Sequence, residues 1–90
     1  EWDPHKALGN LRKHKVSFAE AATVFDDPLS VTVPDPDHSL EEDRLIIVGQ
    51  SYSRRLLIVS FAERGDRIRV ISARELSRNE RQAYEEEVIV

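Results

Sequence analysis

The sequence of 90 residues contains neither cysteine nor methionine. Without cysteine there are no disulfides, thiolate metal ligands or sulfur nucleophiles, and the redox compartment is left open. Without methionine, residue 1 is not an initiator, so the chain is expected to have been trimmed at its start. Glycine is scarce, at three residues, and none builds a phosphate-cradling loop. Neither His-Glu-x-x-His nor Gly-x-Ser-x-Gly occurs. No apolar run approaches the roughly 20 residues of a membrane-spanning helix, and nothing reads as a signal peptide. What remains, 40% hydrophobic and 33% charged with a mean hydropathy of −0.47, predicts one soluble, cytoplasmic domain over residues 1–90.

Charge comes in blocks. Residues 17–43 carry eight acids and no base, whereas residues 44–81 carry nine arginines against four acids. The net charge of −4 argues against long-range attraction to nucleic acid. The all-arginine segment argues for planar, bidentate contacts to phosphate or carboxylate. A solvated, ion-paired surface is the plainer reading of the same residues.

Asp3-Pro4 reads as a helix cap with proline in the first turn. Ala7, Leu8 and Leu11 then share one face of a helix ending near His14-Lys15. Ser17-Phe18-Ala19-Glu20 is a capping box, expected to satisfy two amides reciprocally. The stripe Phe18, Ala21, Ala22, Phe25 follows, and Asp26-Asp27-Pro28 ends it. From Leu29 the period becomes two: Leu29, Val31 and Val33 predict a strand, and residues 34–39 a loop. Leu45–Val48 and Leu56–Phe61 read as further strands, the second apolar on both faces and therefore central. Arg67–Ala73 reads as a fourth. A second box, Ser77-Arg78-Asn79-Glu80, opens a last helix through about Glu87. The expected class is α+β: two N-terminal helices, a four-stranded antiparallel meander and a C-terminal helix.

In such a meander Arg44 lies near the end of the strand that reaches Phe61, and Arg74 leads into the helix carrying Arg78, Arg81 and Tyr84. Arginines beside a tyrosine or histidine suit phosphodiester chemistry: guanidinium groups stabilise charge on non-bridging oxygens while an acid or base moves the proton. Arg64 sits in the Glu63–Asp66 turn. Arg67 and Arg69 on a strand face could equally pair with acids across the sheet. Arg54 and Arg55 flank a turn and could serve only to guard the sheet against edge pairing. His38, in an acidic loop with Asp35, Asp37 and Glu41, suits a general base near neutral pH better than a metal ligand, since the spacing of a metal site is missing; the plainer reading is a loop turn in which His38 bonds its own backbone. His5 and His14, on the first helix, are expected to face solvent.

A series of motifs resembles the BrnT family of type II toxins. It runs Glu1-Trp2-Asp3-Pro4, Asn10-Leu11-Arg12-Lys13-His14, Val16-Ser17-Phe18 with Glu20-Ala21, and Val24-Phe25-Asp26-Asp27-Pro28. It continues through Asp35-x-Asp37-His38-Ser39, Arg44-x-x-x-Val48-Gly49, Glu63-Arg64 and Arg69-Val70-Ile71-Ser72-Ala73-Arg74, and ends at Glu80-x-x-x-Tyr84-Glu85. The resemblance implies a RelE-like fold, with Glu-Trp-Asp as the remnant of a short strand. It implies a metal-independent, cofactor-free endoribonuclease that arrests translation, with the ribose 2′-hydroxyl as nucleophile. It also implies neutralisation by a ribbon-helix-helix antitoxin, in a hetero-oligomer that reaches DNA only through that partner, and no membrane role. On these positions Arg64 and Arg74 would contact the phosphate and His38 would be a base. Arg44, Arg54, Arg55, Arg69, Arg78, Arg81 and Tyr84 would bind RNA. The sequence departs from its relatives at Lys15 and Arg54, where glycine is common. Two other readings stand beside the enzyme: a catalytically inactive module binding an antitoxin-like partner, and a nucleic-acid binder without chemistry.

Overall fold

The computed structural model describes residues 1–36 and 43–89. Helix α1 (Pro4–His14) starts where Asp3 caps it: the carboxylate accepts from the His5 amide at 2.8 Å, which holds its pKa below the usual range. It ends at Lys15, whose backbone is left-handed, with φ 60° and its N–H bonded to the Leu11 carbonyl. Helix α2 (Phe18–Thr23) is capped by the Ser17 hydroxyl, which accepts from the Glu20 amide at 3.0 Å. A single 3-10 turn, Val24–Asp26, finishes it.

Four strands follow: β1 (Val31–Pro34), β2 (Arg44–Gln50), β3 (Leu56–Arg64) and β4 (Arg67–Glu75). They form one antiparallel sheet in the order β1-β2-β3-β4, so β3 is interior. Helix α3 (Arg78–Ile89) closes the chain. The strand expected from Leu29 begins at Val31. The Leu29 amide bonds instead to the Asp27 carboxylate at 2.9 Å, an Asx turn that keeps Leu29 out of the ladder.

Alternation assigns one face of the sheet to the core. Ile47, Leu57, Val59, Phe61, Val70 and Ala73 pack against Val16, Phe18, Ala21 and Val24. Full burial of a side chain such as Phe18 or Leu57 stabilises the fold by about 1.5–3 kcal/mol. Trp2 meets Phe18 edge-on at 5.9 Å, and Phe25 meets Phe61 at 4.9 Å. Gly49 lies where the 3-10 turn crosses β2: a Cβ there would come within 2.9 Å of Asp27 Oδ2 and Ser30 Cβ.

The edge of β4 is covered from two directions. Buried Asn10 mimics a strand, donating to the Ala73 carbonyl at 2.8 Å and accepting from the Ala73 amide at 3.0 Å. Glu1 lies alongside further on, donating to the Ile68 carbonyl and accepting from the Val70 amide, both at 2.9 Å. A bulge at Ser60/Phe61 shifts the register between β3 and β4, so that Ser60 faces Ser72 while Phe61 faces Val70.

Candidate functional site

The register arranges the face opposite the core into rows that cross the sheet. The first row is Val31, Val48, Ile58 and Arg74; the second is Val33, Ile46, Ser60 and Ser72. In the third row Arg44 and Arg69 flank Ala62, and in the fourth Arg64 faces Arg67. The face thus grades from apolar, through two hydroxyls, to a guanidinium-rich end at the β3–β4 hairpin. Gly65 makes that hairpin possible by taking φ +64°. Asp35, buried just past β1, joins the third row through its amide, which bonds the Arg44 carbonyl at 3.2 Å.

Between these rows lies a cleft of about 290 Å³, lined by His14, Asp35, Ile46, Ile58, Ser60, Ser72, Ala73 and Arg74. Arg74 is held by a fork. Its two terminal nitrogens reach the Glu80 carboxylate at 2.7 and 3.0 Å, and one also donates to the Glu75 carbonyl at 3.2 Å. The fork holds the Glu80 pKa down at about 2 and raises that of Arg74. Glu80 also completes the second capping box: it accepts from the Ser77 amide at 2.8 Å while its own amide donates to Ser77 Oγ at 3.2 Å. The helix cap and the arginine's orientation are one device. His14 enters the cleft from the end of α1 and is half-buried, where the sequence reading expected it in solvent. It stands one turn beyond Asn10, on the helix face docked against β4.

The remaining predicted residues lie elsewhere. Arg54 and Arg55 sit at the β2–β3 turn, at the opposite end of the sheet from Arg64; β3 spans about 27 Å at ordinary strand rise. Arg54 is exposed and left-handed, with φ 66°. Arg55 is committed to protein. It pairs with Glu20 through two nitrogens, reaches Glu75 at 3.0 Å and donates to the Lys15 carbonyl at 3.0 Å. The first capping box is therefore only half formed, because the buried Glu20 carboxylate takes Arg55, Ser51 and Ser53 instead of the Ser17 amide. Chiefly through Arg55, this network lowers the Glu20 pKa to about 2.

Arg78 is exposed in the first turn of α3, and Arg81 pairs with Glu85 at 3.2 Å on the same helix. Tyr84 donates to the Leu29 carbonyl at 2.9 Å and ties α3 to the turn that precedes β1; burial raises its pKa. His38, with Asp37 and Glu41, lies outside the described residues. Among the described residues no three His, Asp or Glu side chains form a group that could hold a metal ion. No helix there is long and apolar enough to cross a membrane.

A family model described as "Ribonuclease toxin, BrnT, of type II toxin-antitoxin system" matches residues 2–80. The chain belongs to the BrnT family. Three helices and a four-stranded antiparallel sheet match the fold of a solved BrnT, the ribonuclease toxin of Brucella abortus. That structure superposes with a TM-score of 0.68 at 26% identity, covering 86% of this chain and 94% of the other. A search of curated proteins gives no match. The arginine-graded face beside its cleft brings guanidinium groups from three strands onto one side of the sheet. The sequence reading missed His14 there, although the Asn10–His14 spacing of one helical turn was a signal once Asn10 had found its partner.

Proposed function

We propose that this BrnT family member cleaves RNA without a metal ion, on the face of the sheet that carries Arg44, Arg64, Arg67, Arg69 and Arg74. The fold is read as RelE-like, on the strength of its helix pair, meander and closing helix. RNA supplies its own nucleophile: the 2′-oxygen attacks the adjacent phosphorus, giving a 2′,3′-cyclic phosphate and a 5′-hydroxyl. No protein nucleophile is required, in keeping with a chain that lacks cysteine. Arg74 lines the cleft and stabilises charge growing on the non-bridging oxygens. Arg64, Arg67, Arg69 and Arg44 hold the neighbouring phosphates. Arg54, Arg78 and Arg81, at the far end of the sheet, extend the RNA track, and Arg55 and Tyr84 support the scaffold on which it lies.

The observation that carries this reading is the row register, which brings arginines from three strands onto one face beside a polar cleft. The physiological outcome is arrested translation. Neutralisation falls to an antitoxin of ribbon-helix-helix type, which also brings the pair to DNA. A second reading, a silent antitoxin-binding module, is favoured by the fork that already occupies Arg74 with Glu80.

Growth arrest separates the two. Induced Arg74→Ala is expected to lose arrest at equal expression while still co-purifying with its antitoxin. Arrest that persists would remove Arg74 from the site, and a parent without arrest would favour the silent module.

A further inference from the structure

Cleavage through the 2′-hydroxyl needs a proton donor for the departing 5′-oxygen, and the cleft offers few candidates. A guanidinium does not release its proton near neutrality. A serine hydroxyl does not either, and a carboxylic acid has ordinarily lost its own well below that pH. Imidazole is the side chain suited to both holding and giving up a proton there. Of the described side chains lining the cleft with Arg74, one is an imidazole, that of His14.

Its position is fixed from two sides. Asn10, one helical turn earlier, is clamped to the edge of β4 by two hydrogen bonds to Ala73, next to Arg74. A third, from Asn10 to the Val16 carbonyl at 2.9 Å, holds the chain just beyond His14. Among the described residues the imidazole has no hydrogen-bond or ion-pair partner of its own, and it is not part of the hydrophobic core. It is a half-buried histidine aimed at a polar cleft, on a rigidly docked helix end, with no scaffold duty to explain it.

We infer that His14 is the general acid of RNA cleavage in this cleft, an inference that rests on the ribonuclease reading above. The 2′-oxygen bonds to phosphorus as its proton passes to solvent. The bond from phosphorus to the 5′-oxygen breaks, and its electron pair stays on that oxygen. The imidazolium of His14 gives its proton to the 5′-oxygen and is left neutral, to be reprotonated from water. Arg74, in the lining of the same cleft, stabilises the phosphorane charge meanwhile.

The test is single-turnover cleavage, with the full chain, of two substrates: an ordinary RNA, and the same RNA with sulfur replacing the bridging 5′-oxygen at the cut site. A thiolate leaves without needing a proton. His14→Gln is expected to slow cleavage of ordinary RNA by about 10²–10⁴-fold, the usual worth of a general acid, with KM little changed. On the sulfur substrate the same variant is expected to run near the parent's rate.

Equal rates for variant and parent on ordinary RNA would overturn the assignment, and so would the same loss on both substrates. His14→Ala is run alongside, with melting curves for both variants. If both unfold, the imidazole serves the scaffold and the inference falls. A parent that cuts neither substrate, alone or with translating ribosomes added, overturns the ribonuclease reading, and this one with it.

Discussion

Replacing Glu20 tests how the helical layer is bolted to the sheet. The residue is 7% exposed, and its carboxylate binds the Arg55 guanidinium, Ser51 Oγ at 2.6 Å and the Ser53 hydroxyl. Folding lowers its pKa from 4.5 to about 2. At about 1.4 kcal/mol per unit, that shift is worth about 3 kcal/mol of stability. The range for breaking a buried ion pair is about 3–5 kcal/mol. The lower end applies, because Arg55 keeps Glu75 as a partner and is itself partly exposed.

Glu20→Gln should therefore lower the urea midpoint by about 2 M, with a slope typical of a small domain. Fluorescence of Trp2, the single tryptophan, would report it from its place against Phe18. The pH dependence has a definite sign. A depressed carboxylate stabilises the fold fully above its unfolded pKa, so the gap between parent and variant is complete above about pH 4.5 and closes as pH falls towards 2. A variant within about 0.5 kcal/mol of the parent, a surface-like effect, would refute the reasoning, as would a gap that does not change between pH 5 and 2.

Four further substitutions probe the backbone in the same urea assay. Asn10→Ala removes both bonds to Ala73 and the one to the Val16 carbonyl, and should cost about 3 kcal/mol by leaving buried backbone groups unpaired. Lys15→Gly and Arg54→Gly should each stabilise by about 0.5–1 kcal/mol, since these two non-glycine residues hold positive φ. Destabilisation by either would show that its side chain contributes more than the strain costs. Gly49→Ala should destabilise by about 1–3 kcal/mol through contact with Asp27 and Ser30, and a neutral result would mean that the 3-10 turn yields easily.

Element order was legible because the signals were local. Asp3-Pro4, the two Ser-x-x-Glu motifs and the change of period after Pro28 each act within one or two turns of chain. The two capping boxes show where local reading stops. The same motif closes fully at Ser77–Glu80 but half-opens at Ser17–Glu20, because Arg55, 35 residues away, outbids the backbone amide. Topology also divided the arginines. They look like one basic segment in the chain, but the hairpins send Arg54 and Arg55 to one end of the sheet and Arg64 to the other. His14 was misjudged for the same reason: helical periodicity says which residues share a face, and only docking says what that face meets. Lys15 and Arg54, noted in the sequence as standing where glycine is common, are the two non-glycine residues in the left-handed region among the described residues.

RNA cleavage on the arginine-graded face is the function proposed for this chain. The direct measurement is incubation of a purified structured RNA with the isolated chain in EDTA, beside Arg74→Ala, with the product ends analysed. The account predicts fragments ending in 2′,3′-cyclic phosphate and 5′-hydroxyl from the parent, and a loss of about 10²-fold or more in the variant. It is contradicted if Arg74→Ala cuts as fast as the parent, or if the parent leaves the RNA intact both alone and with translating ribosomes added.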